Sequence, residues 1–533
     1  MTSIFNVPQS VSELKSANNG VSKMRYQQVP ASRDVTKTNF PNGVQSFKFS
    51  TSSPTWWLPS RSYFRMRCTL DDASSAALTV GDNIAPAFGF MANMYQSMEF
   101  RINDKTVSRV SDYVGQVDAL VKRLTKSNAW MNSVGSSLNF YDDDFNKRVA
   151  SVSSDGTIID EAESYLVQAD IPSGSYDATT TVAYTVATHT VTFAVAGANT
   201  DTHWRVGDKI KFISAPTTTD LSGTIATVTA VGSSTKTLQI DSELLGSDIA
   251  AELITFARIR TPNSRRLKNF EVVYQPPLSI FGISHALPTG RYELVMNPHS
   301  STSYKTRAVE SFGAAKTYAT HFDISVVDMY FNGCMIEGPR FDSGSYLIDL
   351  ENVRCQPDAI TSGGLSQKSF DVSPSTYALA VAFQDNRAGT DTRIPPSKFK
   401  AYNDAYTTEE DLGLTRLYLS YAGLQLPQPD ADPSFVAGSN EDYTVQRYAE
   451  SMIYSGQYFN SGSGESIESW QKRGPFYYFA WAKDSSDRST RVITNHQMTA
   501  ANNLNILLFD LSRSVARVSI EGGSVVDVQV EDA

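Results

Sequence analysis

Short segments in which apolar and polar residues alternate are the feature that most constrains how this chain folds. Residues 63–70 and 98–103 have an apolar side chain at every second position, namely Phe64, Met66, Cys68, Leu70, Met98, Phe100 and Ile102. Successive side chains of a strand point to opposite faces, so this period predicts strands with one buried and one wet face. Such strands are typical of antiparallel sheets.

Residues 274–298, YQPPLSIFGISHALPTGRYELVMNP, are predicted to form two buried strands with rigid ends. Pro276 and Pro277 each fix φ and lack a backbone donor, so a strand must begin or bend there. The first strand would contain the apolar run of residues 278–281. A turn is expected at residues 287–290, before the alternating segment that ends at Asn297-Pro298. The stretch therefore predicts a structural framework rather than an active site.

Segments of the same kind recur in the second half of the chain. They cover residues 369–383, 414–421, 476–481, 505–509, 516–520 and 526–530. Gly333, Gly338 and Gly344 lie between the two sets, which predicts a domain boundary near residues 335–345.

Two short helices are predicted among these strands. Ser111-Asp112 is expected to cap the first, whose apolar stripe contains Tyr113, Val117, Leu120 and Leu124. The second covers residues 444–454 and has Val445, Tyr448 and Met452 on one stripe.

The 533 residues are too many for one ordinary core, so two or more domains are expected. Residues 178–256 are rich in Thr, Val, Ala and Ser and poor in the aromatic residues found elsewhere, which predicts a small inserted β-barrel. The predicted fold class is all-β: two tandem jelly-roll β-sandwich domains, the inserted barrel and few short helices. The first roll would cover residues 41–335 and the second residues 336–533.

Residues 1–40 are predicted to be a flexible N-terminal arm, because large apolar residues are few there. The arm is mildly basic, with the cations Lys15, Lys23, Arg25, Arg33 and Lys37 against the acids Glu13 and Asp34. An alternative interpretation is an arm that clamps a neighbouring subunit or lies on an internal surface.

Charge and cysteine content exclude several classes of protein. The net charge of −10 argues against a body that binds nucleic acid. Cys68, Cys334 and Cys355 are far apart and odd in number, so neither a disulfide framework nor a zinc site is expected. No stretch approaches the roughly 20 apolar residues of a membrane span, and the N-terminus lacks the pattern of a signal peptide.

No catalytic, cofactor-binding or metal-binding residues are predicted. Asp142-Asp143-Asp144 offers oxygen ligands but lacks the spacing of a calcium loop, so a solvated acidic loop is the favoured interpretation. The six histidines are scattered, and they are interpreted as surface or interface residues rather than metal ligands: His189, His203, His285, His299, His321 and His496. A glycosidase needs two carboxylates across a cleft, which sequence alone does not exclude.

Two features suggest interfaces. Residues 483–491 form a charged segment in which Arg488 and Arg491 would suit carboxylates of a neighbour, or the segment is a solvated loop. At least one of Trp56 and Trp57 is expected in the core, since an exposed pair would promote aggregation.

Four passages together resemble the double jelly-roll major capsid proteins of the hexon-like lineage of double-stranded DNA viruses. They are residues 61–67, residues 98–107 with the helix after them, residues 275–298, and residues 474–491 with 505–510. The likeness is closest to capsid proteins of polinton-like viruses and virophages. It covers roughly residues 40–533, apart from the insert.

The resemblance implies a non-enzymatic homotrimer, a pseudo-hexameric capsomer that tiles an icosahedral shell around DNA. Partners would be the chain itself, minor capsid and penton proteins, and the genome or an inner layer near the arm. The insert would be an external tower that could bind a host glycan or receptor. The protein would be made in the host cytosol and located in the virion. Two alternatives remain open: a carbohydrate-binding spike or fibre, favoured by Trp204 in the insert, and a β-sandwich glycoside hydrolase.

Overall fold

The structure of the 533-residue chain is a computed structural model. The structure describes residues 24–33, 35, 40, 42–52, 54–71, 73, 84–127, 130, 176–193, 209–214, 225–231, 237–241, 248–259, 269–283, 285–311, 315–338, 340, 342–360, 363–400, 414–421, 424–426, 441–459, 465–467, 470, 473–480, 491–498 and 504–532.

Within those ranges the chain forms 26 strands and four short α-helices. The first part contains β1 (Met24–Pro30), β2 (Gln45–Thr51), β3 (Thr55–Trp57), β4 (Tyr63–Asp71), β5 (Ile84–Pro86), α1 (Phe90–Asn93), β6 (Tyr95–Ile102), β7 (Lys105–Val110) and α2 (Val114–Thr125). Next come β8 (Tyr176–Thr185), β9 (Thr190–Phe193), β10 (Lys209–Ser214), β11 (Ile225–Val231), β12 (Thr237–Ile240) and β13 (Ile249–Ile259).

The chain continues with β14 (Asn269–Tyr274), β15 (Gly290–Pro298), α3 (Ser303–Ala308), β16 (Val309–Ser311) and β17 (Asp323–Glu337). The last part contains β18 (Gly344–Ile360), β19 (Gly364–Asp371), β20 (Thr376–Asp385), β21 (Leu414–Tyr421), β22 (Leu424–Leu426), α4 (Glu441–Tyr454), β23 (Phe476–Ala480), β24 (Arg491–Met498), β25 (Leu504–Glu521) and β26 (Ser524–Asp532). Single turns of 3₁₀-helix lie at Pro59–Arg61, Val186–Thr188, Ser279–Gly282 and Gln457–Phe459.

Eight strands of the first half form two facing antiparallel sheets. One sheet has the order β1-β17-β4-β14 and the other β2-β15-β6-β7. If these eight strands are numbered in chain order, the sheets read 1-8-3-6 and 2-7-4-5, which is the strand order of a jelly roll. We call this unit roll 1.

The second half repeats this topology strand for strand. Its sheets have the orders β18-β25-β20-β23 and β19-β24-β21-β22, which again read 1-8-3-6 and 2-7-4-5. An additional strand, β26, pairs with the distal half of β25. We call this unit roll 2, and the predicted fold class of two tandem jelly rolls is confirmed.

The alternating segments bury the faces that the sequence predicts. In β4 the side chains of Phe64, Met66, Cys68 and Leu70 are buried, while Arg65 and Arg67 lie on the other face. Apolar side chains from both sheets then meet in the core of roll 1. At its centre the Trp57 ring lies 5.0 Å from the rings of Phe49 and Tyr292, and its indole N–H donates to Ser62. Trp56 is buried as well.

The predicted flexible arm is wrong for residues 24–30, which form the first strand of roll 1. All seven residues of β1 pair with β17, from Met24 opposite Ile336 to Pro30 opposite Tyr330. The sequence hides this strand because Val29 is its single buried residue. An edge strand needs few apolar side chains, since its backbone hydrogen bonds hold it in the sheet.

Two local predictions are corrected. Residues 279–282 form a turn of 3₁₀-helix rather than a strand, with the Phe281 amide donating to the Leu278 carbonyl. Pro276 and Pro277 cannot donate to a strand ladder, which favours this local bonding. Helix α2 starts after Tyr113, which has φ 59°, and neither Ser111 nor Asp112 caps it. The second predicted helix is α4, and it begins three residues earlier than expected.

The predicted inserted barrel is present and is closed. Its six strands follow the order β10-β11-β12-β9-β8-β13, and β13 pairs with both β8 and β10. Its buried residues include Tyr184, Val191, Ile210, Phe212, Leu238 and Ile240. The barrel enters roll 1 between α2 and β14. Tyr176 and Arg258 pair directly, so the two ends of the barrel lie side by side.

Candidate functional site

The strongest concentration of buried polar chemistry lies where the two rolls meet. Helix α2 runs through this joint, and nine of its twelve residues are buried. A surface helix of a single domain would bury one stripe. The burial of α2 on several sides therefore follows from its position between roll 1, which supplies it, and roll 2, which covers it.

Arg123 of α2 ties the rolls together through a buried ion pair. Its Nε and Nη2 donate to Glu465 Oε2 at 3.0 and 2.7 Å, and its Nη1 donates to the Gly474 carbonyl at 2.7 Å. Arg473 binds the other carboxylate oxygen of Glu465 at 3.1 Å. The three charged side chains are at most 2% exposed. The guanidinium also lies over the Phe476 ring, 4.8 Å from its centre.

The electrostatics of this triad favour the paired state. Burial lowers the pKa of Arg123, whereas the negative charge of Glu465 acts to raise it. A buried charge without a partner is costly, and both oxygens of Glu465 are occupied by guanidinium groups. Loss of either arginine would therefore leave one oxygen of the buried Glu465 carboxylate without its guanidinium partner.

On the roll 1 side of α2, a second buried pair anchors the helix. Lys122 Nζ donates to both oxygens of Asp118 at 2.6 Å, and the Tyr274 hydroxyl lies 3.4 Å from Asp118 Oδ1. Burial raises the pKa of Asp118 and lowers that of Lys122, against the opposing effect of each partner's charge. Tyr274 ends β14, so the pair fixes the helix to the strand that follows the barrel.

Uncharged hydrogen bonds complete the joint. Gln116 donates to Gln384 Oε1 at 3.1 Å, and Gln384 donates to the carbonyls of Pro396 and Lys398. Asn93 of α1 donates to Ser397 Oγ at 3.1 Å. The Gln116–Gln384 and Asn93–Ser397 bonds link residues 268 and 304 positions apart in sequence, so neither could be identified from local patterns.

Close packing accompanies these bonds at Gly115. A Cβ atom there would lie 2.1 Å from Asn93 Oδ1 and 3.3 Å from Pro396 Cβ. A side chain at this position would therefore displace the amide that bonds to Ser397.

The 3₁₀ turn after Pro276-Pro277 forms the other part of the joint. Together with α2 it borders a cavity of about 610 Å³ between the rolls. Roll 1 contributes Lys122, Lys126 and Trp130, while Asp349, Glu351, Tyr377 and Tyr478 belong to roll 2. Pro276, Pro277 and the 3₁₀ turn thus lie at the surface between the two rolls, within the stretch of residues 274–298 that the sequence predicts to be a structural framework.

Several of the features predicted from the sequence lie outside the residues that the structure describes. Asp142-Asp143-Asp144, His203, Trp204 and Arg488 lie outside the described residues. Arg491 is exposed on β24 and bonds to Ser369. Among the residues the structure describes, no group of three His, Cys, Asp or Glu side chains could hold a metal ion. The three cysteines are buried and free.

One histidine differs from the surface position expected of it. His496 of β24 is fully buried in roll 2, and burial lowers its pKa to about 4. Its ring packs edge-on against Phe383, and neither ring nitrogen has a hydrogen-bond partner among the described residues.

Arg123, Glu465 and Arg473 hold the two rolls together, and none of them is predicted from the sequence. The one local sign that Arg123 is buried is its place in a Lys122-Arg123 pair on a helix whose neighbouring turns are apolar. Its partners lie 342 and more residues away, and nothing in their segments marks them as buried.

The sequence matches no family model and no curated protein. Solved structures do match. A chain of the 3.5 Å cryo-EM structure of the Sputnik virophage aligns over 97% of this chain and 89% of its own, with 10% identity and a TM-score of 0.52. This 533-residue protein has a double jelly-roll fold.

Two further solved structures match over most of both chains. The mavirus major capsid protein aligns over 100% of this chain and 96% of its own, with 9% identity and a TM-score of 0.43. The Faustovirus major capsid protein aligns over 94% and 90%, with 10% identity and a TM-score of 0.42. No helix in the described ranges is long and apolar enough to cross a membrane.

Proposed function

We propose that this double jelly-roll protein is the major capsid protein of a double-stranded DNA virus. One observation carries the proposal: two complete jelly rolls in one chain share their fold with a chain of the Sputnik virophage over nearly the full length of both. The sequence passages that resemble the hexon-like lineage support it independently.

The functional unit is a homotrimer. Three chains supply six similar rolls, and six similar rolls fit a ring with pseudo-sixfold shape. Closed cyclic symmetry is the ordinary way in which identical subunits associate. The joint supports this role, because the buried ion pair of Arg123 and Glu465 holds one roll against the other and so keeps every subunit the same shape. Such rings tile an icosahedral shell.

The parts of the chain outside the two rolls have other roles. The barrel between α2 and β14 stands as a tower on the outer surface and contacts a host glycan or receptor. The N-terminal residues before β1 contact the genome or an inner layer. Minor capsid and penton proteins join the rings, and the protein, made in the host cytosol, acts in the virion without catalysis.

Electron microscopy of the purified, concentrated protein tests the shell role. The expected result is sheets or closed shells built from ring-shaped units with a hexagonal lattice. Isolated particles that bind a glycan array and never form a lattice would instead support the spike or fibre alternative. Hydrolysis of a glycoside would support the enzyme alternative.

A further inference from the structure

The cavity between the two rolls has the size and the position of a ligand site. Its volume of about 610 Å³ lies within the range of roughly 300–1,000 Å³ that is typical of pockets for small organic molecules. Such pockets are common where two domains meet, and their walls are mostly apolar. Here both rolls contribute apolar side chains: Val121, Leu124 and Phe281 from roll 1, and Val353 and Leu511 from roll 2. A molecule with an apolar body would therefore contact both rolls at once.

The roll 2 wall of this cavity has two carboxylates side by side. Asp349 and Glu351 are two residues apart on β18, so both lie on the face of the strand that is turned away from the buried Ile348 and Leu350. The side chain of Asp349 has no ion-pair or hydrogen-bond partner among the described residues. Glu351 lies 3.7 Å from Arg513, but both of these side chains are more than half exposed, so the pair contributes little. Both carboxylates are thus open to a ligand.

Two tyrosines line the cavity beside these carboxylates. Burial and, next, the negative charge of Glu351 raise the pKa of both Tyr377 and Tyr478, so both hydroxyls lie near that carboxylate. Neither hydroxyl has a hydrogen-bond partner in the part of the chain that the structure describes. The same wall therefore offers two further oxygen atoms that can accept a hydrogen bond.

Aromatic rings on both walls already have cations over them. The Arg513 guanidinium lies 4.5 Å from the centre of the Tyr377 ring, and on the roll 1 wall the Lys126 ammonium lies 5.3 Å from the centre of the Trp130 ring. A positive charge within about 6 Å of a ring centre is attracted by the negative face of the ring. The aromatic lining therefore favours positive charge.

The ionisable groups of the lining also favour a cation over an anion. Lys122 is paired with Asp118, which leaves Lys126 as the one lining lysine without an acidic partner among the described residues. Burial lowers the pKa of His285, so this ring near Asp349 is uncharged at neutral pH. Two carboxylates therefore face one lysine. One added positive charge makes the lining neutral, whereas one added negative charge increases the excess of negative charge.

We propose that the cavity between the rolls binds a small organic cation, an ammonium group on an apolar or aromatic body. The ammonium group lies against Asp349 and Glu351 and donates to the hydroxyls of Tyr377 and Tyr478, while the body packs on the apolar walls. A ligand that binds only the joined rolls stabilises them against separation. All of the lining belongs to one chain, so the site does not depend on the proposed capsomer and can fail without it.

Isothermal titration calorimetry of the full chain with three matched probes tests the charge preference. Phenylbutylamine, phenylbutanol and phenylbutyrate share one apolar body and carry a positive charge, no charge and a negative charge at neutral pH. We expect the amine to bind several-fold more tightly than the alcohol, and the carboxylate to bind most weakly. Equal affinity for the three probes, tighter binding of the carboxylate, or no binding of the amine would overturn the proposal.

Two substitutions test the place of binding. Asp349→Asn and Glu351→Gln each remove one negative charge at an exposed position of β18 and keep the shape of the side chain, so the fold should remain intact. We expect each to weaken binding of the amine several-fold without changing the affinity for the alcohol. The double variant should lose the preference for the amine.

Glu521→Gln is the matched control, because Glu521 is exposed on β25 and does not line the cavity. It removes the same charge and should bind the amine as the unchanged chain does. If the control weakens the amine as much as Asp349→Asn does, the amine responds only to the negative charge of the whole protein, and the assigned site is wrong. Full affinity in the double variant would contradict the site equally.

Discussion

The buried triad of Arg123, Glu465 and Arg473 allows a sharp test of what holds the rolls together. The substitution Arg123→Met removes three charge-assisted hydrogen bonds and a cation over Phe476 while keeping an apolar side chain of similar length. Removal of one partner from a buried ion pair costs about 3–5 kcal/mol, because the other charge stays buried. We expect the free energy of unfolding to fall by about that amount.

Two further variants serve as references for this loss in the free energy of unfolding. Arg65→Met breaks the exposed pair with Glu271, in which both side chains are 36% exposed, and should cost at most about 1 kcal/mol. A triple variant with Met at positions 123, 465 and 473 removes all three charges. Replacement of a whole buried ion cluster by apolar residues is often neutral or stabilising, so this variant should recover most of the loss.

Urea unfolding followed by both tryptophan fluorescence and circular dichroism measures these differences. Two probes are needed, because a chain with several domains can unfold in more than one step. We expect the two transitions of Arg123→Met to separate, since the rolls become uncoupled. If Arg123→Met is no more destabilised than Arg65→Met, or if the triple variant is worse than the single one, the account of the joint is wrong.

Three other perturbations follow from the structure. His496 has a pKa of about 4 in the folded chain and about 6.5 when unfolded, so acid destabilises roll 2 as the pH falls from about 6.5 to 4, by up to about 3 kcal/mol. In His496→Leu this part of the pH dependence of the melting temperature should vanish; an unchanged profile would refute it. Deletion through residue 30 removes β1 and exposes the edge of β17, so we expect loss of soluble protein, whereas deletion through residue 23 keeps the ladder and should remain soluble. Replacement of residues 176–259 by a short linker should leave assembly intact, because the paired ends of the barrel lie side by side; loss of the trimer by size-exclusion chromatography would make the barrel structural.

The local sequence pattern was sufficient to predict the elements that have one buried face. The alternation in β4, β6 and β15 reports which side chains meet the core, and two sets of such strands indicated two rolls. The composition of the barrel also differs enough from its surroundings to be visible in the sequence.

Elements held by the backbone or by distant partners were not predictable in this way. Strand β1 looks like a polar arm, because its place in the sheet depends on hydrogen bonds to β17, some 300 residues later. The apolar run after Pro276-Pro277 has the composition of a strand, but its conformation is set by the missing donors. The joint depends on Arg123 meeting Glu465, which only the packed rolls bring together.

Sedimentation equilibrium of the purified chain tests the central claim, that this double jelly-roll protein works as a trimeric capsomer. The account predicts a species with three times the chain mass of 58.5 kDa, stable on dilution. A stable species of one chain mass over the same concentration range would contradict it.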